Sequence, residues 1–432
     1  MFTLLQDNSS NTRRYLSWLK SWEALPGSRR NKKQCPGKSC SFRFNTGFFE
    51  RSIPEPHHWN QSVLNKVLKP LKMSVLTTAF KKLLEHHDAL RLRFHKEEGG
   101  WKQSNAPKEL HQIVEYVDVS KFSEEQRLKK VEEIGERTQR KQLNLSEGPL
   151  IRAVYFDHGS GGSSRLLIVV HHLVMDGVSW RILLEDLEML VCGLETGQTP
   201  ALPEKTTSYQ EWAQALYQYA KEESLLTELA YWREQLDTEV PALPVDWKDQ
   251  SNLVRSVQHL DVELDQNETD WLIQTIHSNR VQMNELLLAA LFLTISEWTG
   301  QSKVLIDLEG HGREEQLVGK FDLSRTVGWF TTVYPILLEA DPGQMPLAVL
   351  KKIREQLRSV PNKGFGFGVL KYLTSYGKEL KRKHHAEISF NYLGHFENVN
   401  RETFLSESIL EPHGNMHGRQ VHPVCICWMS MR

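Results

Sequence analysis

Two adjacent histidines are the strongest chemical signal in the sequence. His171 and His172 follow the apolar run Leu166–Val170, and Asp176 comes four residues after the second histidine, in the segment VVHHLVMDGVSW. A strand that opens into a loop is where α/β proteins usually display reactive groups. Imidazole titrates near neutral pH, so a ring held there can accept or release a proton during turnover. Two structural histidines are the alternative that the residues alone leave open.

Glu309 is a second candidate for proton transfer. It follows the apolar run Val304–Leu308 and begins the segment EGHGRE. We expect Gly310 and Gly312 to leave room for a substrate close to the backbone. Partial burial would raise the pKa of the carboxyl group and let it hold a proton near neutral pH. On spacing alone, a solvated carboxylate at a strand end is the other interpretation.

The elements around the histidines indicate a sheet packed against helices. An amphipathic pattern predicts a helix over Ser74–His87 with Ser74 as its N-cap. Alternation after it predicts a strand that enters a hairpin at Gly99 and Gly100. Because every residue of Leu166–Val170 is apolar, this run predicts a strand covered on both faces.

The second half of the chain repeats this mixture. We predict a helix over Asn284–Trp298 and buried strands at Val304–Leu308 and Glu387–Tyr392. A chain of 432 residues is too long for one comfortable core, and prolines are frequent between residues 200 and 250. Two similar-sized lobes are therefore expected.

We divide the chain accordingly into three parts. Residues 1–47 are off pattern and are predicted to be a disordered tail, residues 48–225 form the N-terminal lobe, and residues 226–432 form the C-terminal lobe. After about residue 411 the sequence does not resemble the closing strands of such a lobe. A truncated or frame-shifted gene would explain both ends, and we expect such a chain to be less stable than an intact domain.

The composition excludes several classes of function. A formal net charge of −1 gives no overall field for nucleic acid or an anionic membrane, and no apolar run is long enough to span a bilayer. The five cysteines suit a reducing compartment, so a cytoplasmic protein is expected. Their spacing lacks the further ligands that zinc needs, so we predict no metal site.

The segment HHxxxDG between a buried strand and a helix resembles the signature of the condensation superfamily of nonribosomal peptide synthetases. Six segments narrow the resemblance to the epimerization domain subgroup over about residues 48–396. They are PEPHHWNQ (54–61), HHDALRLRF (86–94), EGHGRE (309–314), SRTVGWFTTVYP (324–335), PNKGFGFG (361–368) and FNYLGHF (390–396).

This resemblance implies an α/β fold, layered as α+β, with two chloramphenicol-acetyltransferase-like lobes and an active site in a tunnel between them. It assigns the chemistry to His172 and places Glu309 in the tunnel. Asp176 is expected to form a structural ion pair, Gly177 to allow a tight turn, and His171 to be structural at the site.

The implied reaction is epimerization of an L-aminoacyl or peptidyl thioester to its D-form. The α-hydrogen of a thioester is acidic because the enolate spreads charge onto oxygen, so inversion needs one proton acceptor and one donor on opposite faces. His172 and Glu309 are the candidates, with their roles left open. Donors to the enolate oxygen are sought in Asn391, Tyr392 and Arg325. For Tyr392 a core aromatic, and for Arg325 an ion pair, is the alternative.

The resemblance also implies partners. The substrate would arrive on the 4′-phosphopantetheine arm of a peptidyl carrier protein within a parent nonribosomal peptide synthetase, and the domain would bind no cofactor of its own. One alternative is a condensation domain that forms peptide bonds, although such a relative need not carry a Glu at position 309. Another is an inactive carrier-docking module, which the atypical ends make plausible.

Overall fold

A computed structural model describes most of the chain from residue 46 onward. The described residues are 46–49, 55–98, 100–159, 164–197, 200–246, 257–258, 260, 262–381, 385–396, 405–414 and 424–431. The predicted tail, residues 1–47, lies outside them apart from its last two residues. Within the described part of the chain, no helix combines the length and apolar character that crossing a bilayer requires.

Strands and helices are mixed along the chain, with a run of six described α-helices between His171 and Lys303. The strands are β1 (Trp59–Val67), β2 (Leu92–Glu97), β3 (Gly100–Asn105), β4 (Val114–Asp118), β5 (Ile151–Asp157), β6 (Arg165–His171), β7 (Lys303–Gly310), β8 (Thr332–Glu339), β9 (Ile388–Phe396), β10 (Leu405–Gly414) and β11 (Val424–Met431). The helices are α1 (Thr46–Phe49), α2 (Met73–His86), α3 (Glu124–Lys141), α4 (Gly177–Glu195), α5 (Tyr209–Tyr219), α6 (Glu223–Leu226), α7 (Leu229–Asp237), α8 (Gln266–Asn279), α9 (Met283–Thr299), α10 (Glu315–Val318), α11 (Pro346–Ser359) and α12 (Phe365–Leu373).

The first sheet has the order β10-β1-β6-β5-β4 and is covered on both faces. In β6, Leu166, Ile168 and Val170 join the main hydrophobic core together with residues of α2 and α4. Leu167 and Val169 point the other way, into a second cluster that includes residues of α3. Side chains alternate between the faces of a strand, so a run that is apolar throughout requires two buried faces. The predicted doubly covered strand is confirmed.

The second sheet has the order β11-β9-β7-β8. Its central strand β7 pairs antiparallel with β8 and parallel with β9. The apolar helix α9 supplies Leu288, Phe292 and Ile295 to the core of this part of the chain. A two-stranded ribbon, β2-β3, forms a separate sheet, and the pairing of Glu97 with Gly100 confirms the predicted hairpin. The predicted α/β fold, layered as α+β, is confirmed.

Two strands after β9 were not predicted. β10 pairs antiparallel with β1, so a segment that follows the second sheet in sequence belongs to the first sheet in space. β11 returns to the second sheet and pairs parallel with β9, in the segment after residue 411 that was expected not to resemble a closing strand. The division into lobes at residues 225 and 226 stays a prediction, and β10 of the second part pairs with β1 of the first.

The start of α2 corrects one sequence-based expectation. The helix begins at Met73 with Lys72 at the N-cap position, and no side chain caps it. Ser74 is therefore inside the first turn, where its carbonyl oxygen accepts a hydrogen bond from Thr78. The apolar face of α2 is nevertheless the one predicted, because its spacing of three and four residues requires a single buried stripe.

Candidate active site

His172 lies directly after β6, in a short 3₁₀ turn that ends at Val174. Its Nδ1 lies 2.8 Å from the carbonyl oxygen of Met175, and its Nε2 lies 3.2 Å from Nε2 of Gln61. The imidazole stacks on the Trp59 ring, with centroids 4.5 Å apart. The ring of Trp329 lies 5.3 Å away on centroids. The ring is thus held by two polar contacts and flanked by two indoles.

These surroundings favour the neutral form of His172. Burial lowers the pKa of this imidazole, and the contact with Met175 and the charge of Asp176 oppose the shift only in part. A neutral ring, which has one unprotonated nitrogen, is the form that can accept a proton.

His171 takes a structural position. It is fully buried, its Nε2 donates to the carbonyl oxygen of Pro56 at 2.9 Å, and its Nδ1 accepts from the backbone N–H of Leu173 at 3.2 Å. Burial lowers the pKa of His171 to about 3. Both ring nitrogens are therefore engaged with backbone groups, as expected of the structural member of the pair.

Asp176 joins the two segments that carry the candidate proton carriers. Its side chain caps α4 by accepting from the backbone N–H of Ser179 at 2.8 Å. It also pairs with Arg313, Nη2 to Oδ1 at 3.1 Å, and accepts from the backbone N–H of Phe330 at 3.1 Å. Arg313 belongs to EGHGRE, and its guanidinium lies over the Phe330 ring, 4.0 Å from the centroid. Sequence reasoning assigned Asp176 an ion pair but did not identify Arg313 as its partner.

Glu309 lies on β7, beside the strand that carries Asn391. The parallel register pairs Leu308 with Phe390, which places the next residue of each strand side by side. Nδ2 of Asn391 donates to Oε2 of Glu309 at 2.6 Å. Tyr392 follows on β9, half-buried, and burial raises the pKa of its hydroxyl. The structure therefore brings Glu309 and Asn391 together, as their shared place in the resemblance suggests.

The glycines at positions 310 and 312 were expected to leave room for a substrate, but the structure gives another reason for them. A Cβ at Gly310 would lie 2.9 Å from Oγ1 of Thr332, and at Gly312, where φ is +67°, it would lie 1.7 Å from the carbonyl oxygen of Phe330. Close packing of the protein on itself, rather than room for a substrate, requires them. Gly177 begins α4 with no positive φ, and a Cβ there would meet nothing within 4 Å. The expectation of a tight turn that needs glycine at position 177 is therefore wrong.

Arg325 is not brought to His172 or Glu309. Its Nη1 donates to Glu185 at 3.0 Å, and its Nη2 donates to Asp186. Asp186 is fully buried, and its other oxygen contacts Nε2 of His87 at 2.9 Å. The guanidinium is thus committed to two carboxylates of α4, which corrects its candidacy as an enolate donor and matches the ion-pair alternative.

The same cluster contains a possible set of metal ligands that the sequence did not single out. One atom each of His86, His87 and Asp186 lie within 4.8 Å of one another. Burial and the neighbouring His87 lower the pKa of His86 to about 4. Because Arg325 and His87 already engage both oxygens of Asp186, hydrogen bonding accounts for this cluster without an ion.

An open surface cleft of about 770 Å³ lies elsewhere, lined by residues that include Glu115, Lys141 and Arg152 and contain neither His172 nor Glu309. Packing explains two of the three glycines of PNKGFGFG, Gly364 and Gly366, whereas a Cβ at Gly368 would meet nothing within 4 Å. A Cβ at Gly364 would lie 2.1 Å from the Tyr334 ring.

The sequence is similar to a known domain family and to much longer relatives. Residues 46–419 match the Condensation domain family. One of the linear gramicidin synthase proteins of Brevibacillus parabrevis is 44% identical over 357 residues, which are 81% of this chain and 7% of that protein. The chain thus spans a small part of this relative.

Solved structures give the same picture. The epimerization domain from the third module of tyrocidine synthetase B matches with a TM-score of 0.84 at 31% identity, covering 94% of this chain and 90% of that one. The first condensation domain of the calcium-dependent antibiotic synthetase has a TM-score of 0.64 at 17% identity, with coverage of 86% and 84%, and shows a shared fold.

Proposed function

Because the chain belongs to the condensation domain family of nonribosomal peptide synthetases, we propose that it inverts the α-carbon of a carrier-bound aminoacyl or peptidyl thioester. The similarity at 31% identity to an epimerization domain supports this reaction over peptide-bond formation. The observation that carries the proposal is the contact of Asn391 with Glu309, because it orients a carboxylate that bond formation has no evident need for.

The chemistry requires proton transfer on two faces of one carbon. Removal of the α-proton leaves a planar enolate, and return of a proton to the opposite face gives the other configuration. His172 in its neutral form is one proton carrier, and Glu309 is the other. Their roles exchange with the direction of the reaction.

The ion pair between Asp176 and Arg313 supports the use of both carriers in one site. Asp176 follows His172 by four residues, and Arg313 follows Glu309 by four residues. A buried pair with further hydrogen bonds holds its two backbone segments in one relative position. Placement of reacting groups to within about 1 Å matters strongly for rate.

The enolate oxygen needs hydrogen-bond donors. Asn391 and Tyr392 are the candidates, since the amide of Asn391 contacts Glu309 and Tyr392 is the next residue of β9. The amide of Asn391 has a second N–H beyond the one given to Glu309, so it can serve both purposes.

The substrate would be presented by a separate domain. We propose that it arrives on the 4′-phosphopantetheine arm of a peptidyl carrier protein within a nonribosomal peptide synthetase. The relatives are far longer than the chain, which covers 7% of the linear gramicidin synthase protein described above.

The decisive experiment uses an L-aminoacyl carrier protein in deuterium oxide. Mass spectrometry follows α-deuterium, and chiral chromatography of the released amino acid follows the D-isomer. Deuterium uptake with inversion supports epimerization. With an aminoacyl acceptor carrier added, dipeptide formation without inversion would instead identify a bond-forming domain, and carrier binding without either reaction an inactive docking module.

Variants connect the chemistry to the residues. His172→Ala and Glu309→Gln should each lower the rate of inversion by about 10²- to 10⁴-fold, the usual contribution of a proton-transfer group. Glu297→Gln, on an exposed position of α9, is the matched control and should retain the wild-type rate. A variant at either site residue with full activity would remove that residue from the mechanism.

A further inference from the structure

We propose that Gln61, oriented by Trp180, is a positioning residue that keeps the proton of neutral His172 on Nδ1 and keeps Nε2 unprotonated. Gln61 lies on β1, opposite Val170 of β6, so two hydrogen-bonded strands carry it to the imidazole. Trp180 lies in the first turn of α4. The importance of this arrangement for turnover rests on the proposed function, whereas the tautomer itself does not.

The argument starts from Trp180, whose indole nitrogen can only donate a hydrogen bond. It lies 2.8 Å from Oε1 of Gln61. The opposite orientation of the amide would set two donors against each other, so this contact assigns the oxygen of Gln61 to the Trp180 side. The NH₂ group of Gln61 must then face His172.

The orientation of the Gln61 amide determines which ring nitrogen of His172 carries the proton. Nε2 of Gln61 lies 3.2 Å from Nε2 of His172. Because the amide nitrogen donates and does not accept, the ring nitrogen must be the acceptor and carries no proton. In a neutral imidazole the proton then belongs on Nδ1.

The other end of the chain of contacts gives the same answer independently. Nδ1 of His172 lies 2.8 Å from the carbonyl oxygen of Met175, which can only accept. Only the tautomer with a proton on Nδ1 satisfies this contact. A donor-only group at one end and an acceptor-only group at the other thus permit one arrangement of protons.

This arrangement also opposes the imidazolium. A proton on Nε2 would face the NH₂ group of Gln61, and Trp180 prevents that amide from turning its oxygen toward the ring. Two titratable groups with an effect on this ring are described around it. Asp176, paired with Arg313, favours the proton, and His171, whose pKa is about 3, stays neutral. A proton taken up by His172 is therefore readily passed on.

The test reads the tautomer directly and uses no substrate. In protein labelled with ¹⁵N-histidine, long-range ¹H–¹⁵N spectra distinguish protonated from unprotonated ring nitrogens, and the His172→Ala spectrum identifies the signals. We expect wild type at pH 7.5 to have a protonated Nδ1 and an unprotonated Nε2. A protonated Nε2 in wild type would overturn the proposal without any variant at Gln61.

Three variants examine the cause. Gln61→Glu offers Nε2 an acceptor and a negative charge, so we expect protonated Nε2 and a rise of about one unit or more in the titration midpoint of His172. Trp180→Phe keeps an aromatic ring and removes only the indole N–H, so the amide can turn its oxygen toward the ring and the share of His172 protonated on Nε2 should rise above the wild-type level, against the Met175 contact that still favours Nδ1. Gln61→Met removes the amide without adding charge and should raise that share to a smaller extent. Wild-type tautomer and midpoint in all folded variants would contradict the proposal.

Activity gives a separate measurement. The acid limb of the pH–rate profile for α-deuterium uptake should move upward in Gln61→Glu by the same amount as the NMR midpoint, whereas a merely structural loss would lower the rate at every pH alike. If wild type has the expected tautomer but inverts no thioester, the proposed function fails and the assignment of the proton stands. If it inverts thioesters with the opposite tautomer, only the inference about Gln61 fails.

Discussion

Arg313 donates to Asp176 at 3.1 Å and thereby connects the segment that begins at Glu309 with the segment that begins at His171. Both side chains are buried, with 9% and 5% of their surfaces exposed. Their contact is the point where the described structure ties the two candidate proton carriers into one framework, and it is the first target for mutation.

Breaking this pair should destabilise the protein strongly. Asp176→Ala or Arg313→Ala leaves a buried charge without its partner, so each should lower the free energy of unfolding by about 3–5 kcal/mol. The double variant should lose less than the sum, because neither charge is then left alone. Urea unfolding of wild type, the two single variants and the double variant gives the coupling free energy between the two side chains. The exposed pair of Arg137 and Glu115 is the control, with an expected coupling of about 1 kcal/mol or less. Additive losses at Asp176 and Arg313 would contradict the expectation.

The amide of Asn391 should matter for rate more than for stability. Asn391→Ala removes the amide hydrogen bond to the Glu309 carboxylate at a half-buried position, and a displacement of a reacting group by about 1 Å can cost on the order of 100-fold in rate. Asn391→Asp places two carboxylates together, which favours a shared proton and should move the pH–rate profile upward. Rates of α-deuterium uptake between pH 6 and 9 check both. A wild-type rate and profile in both variants would show that this contact does not serve the reaction.

Two glycine substitutions should have opposite outcomes. Gly312→Ala combines a positive φ with a Cβ placed against the carbonyl oxygen of Phe330, so it should cost at least about 1–2 kcal/mol and lower the melting temperature. Gly177→Ala introduces a methyl group where no atom lies within 4 Å, at the first residue of α4, and should leave the melting temperature unchanged or raise it. Calorimetry of both variants measures the two changes in melting temperature. Equal effects would mean that the close approach at Gly312 is wrong.

Stability should fall as the solution is made acidic, and His171 is one cause. Its folded-state pKa is about 3, below the ordinary value of 6.5. Below pH 6.5 the unfolded chain binds a proton that the folded protein refuses, so the contribution is present above pH 6.5 and is lost as pH falls toward 3. One such group costs about 1.4 kcal/mol per pH unit, or about 2 kcal/mol between pH 6.5 and 5.

Urea unfolding at pH 7.5, 6.5 and 5 measures this dependence. In His171→Gln, which cannot titrate, the free energy of unfolding should fall less steeply below pH 6.5, because the contribution of one histidine to the slope is gone. This holds whatever stability the variant loses at pH 7.5. An unchanged slope would show that His171 takes up its proton in the folded state.

Local patterns account for the parts of the fold that the sequence predicts. The apolar run of β6, the stripe of α2 and the extent of α9 each depend on periodicity within a few residues, and the structure confirms all three. The bounds of these elements agree to within a few residues. The predicted N-cap of α2 was wrong. Ser74 was chosen because its side chain is a good cap, but the helix begins one residue before it, at Met73.

Contacts between distant residues are what the sequence leaves out. Nothing local to Gln61 indicates that Trp180, on α4, will orient its amide, or that Arg313 is the partner of Asp176. The glycines of EGHGRE were rightly noticed and wrongly explained, because their neighbours Thr332 and Phe330 come from a following segment. Such relationships depend on how sheets and loops meet, which no periodicity encodes.

The pairing of β10 with β1 has a consequence for how the protein is made. The strand that completes the open edge of β1 leaves the ribosome about 350 residues after β1 itself. At about 5–20 residues per second, translation leaves that edge without its final neighbour for tens of seconds. An unpaired edge is a template for association with other chains. The nascent chain therefore has a particular need of chaperone protection during this interval, and the first sheet is completed only after most strands of the second have been synthesised.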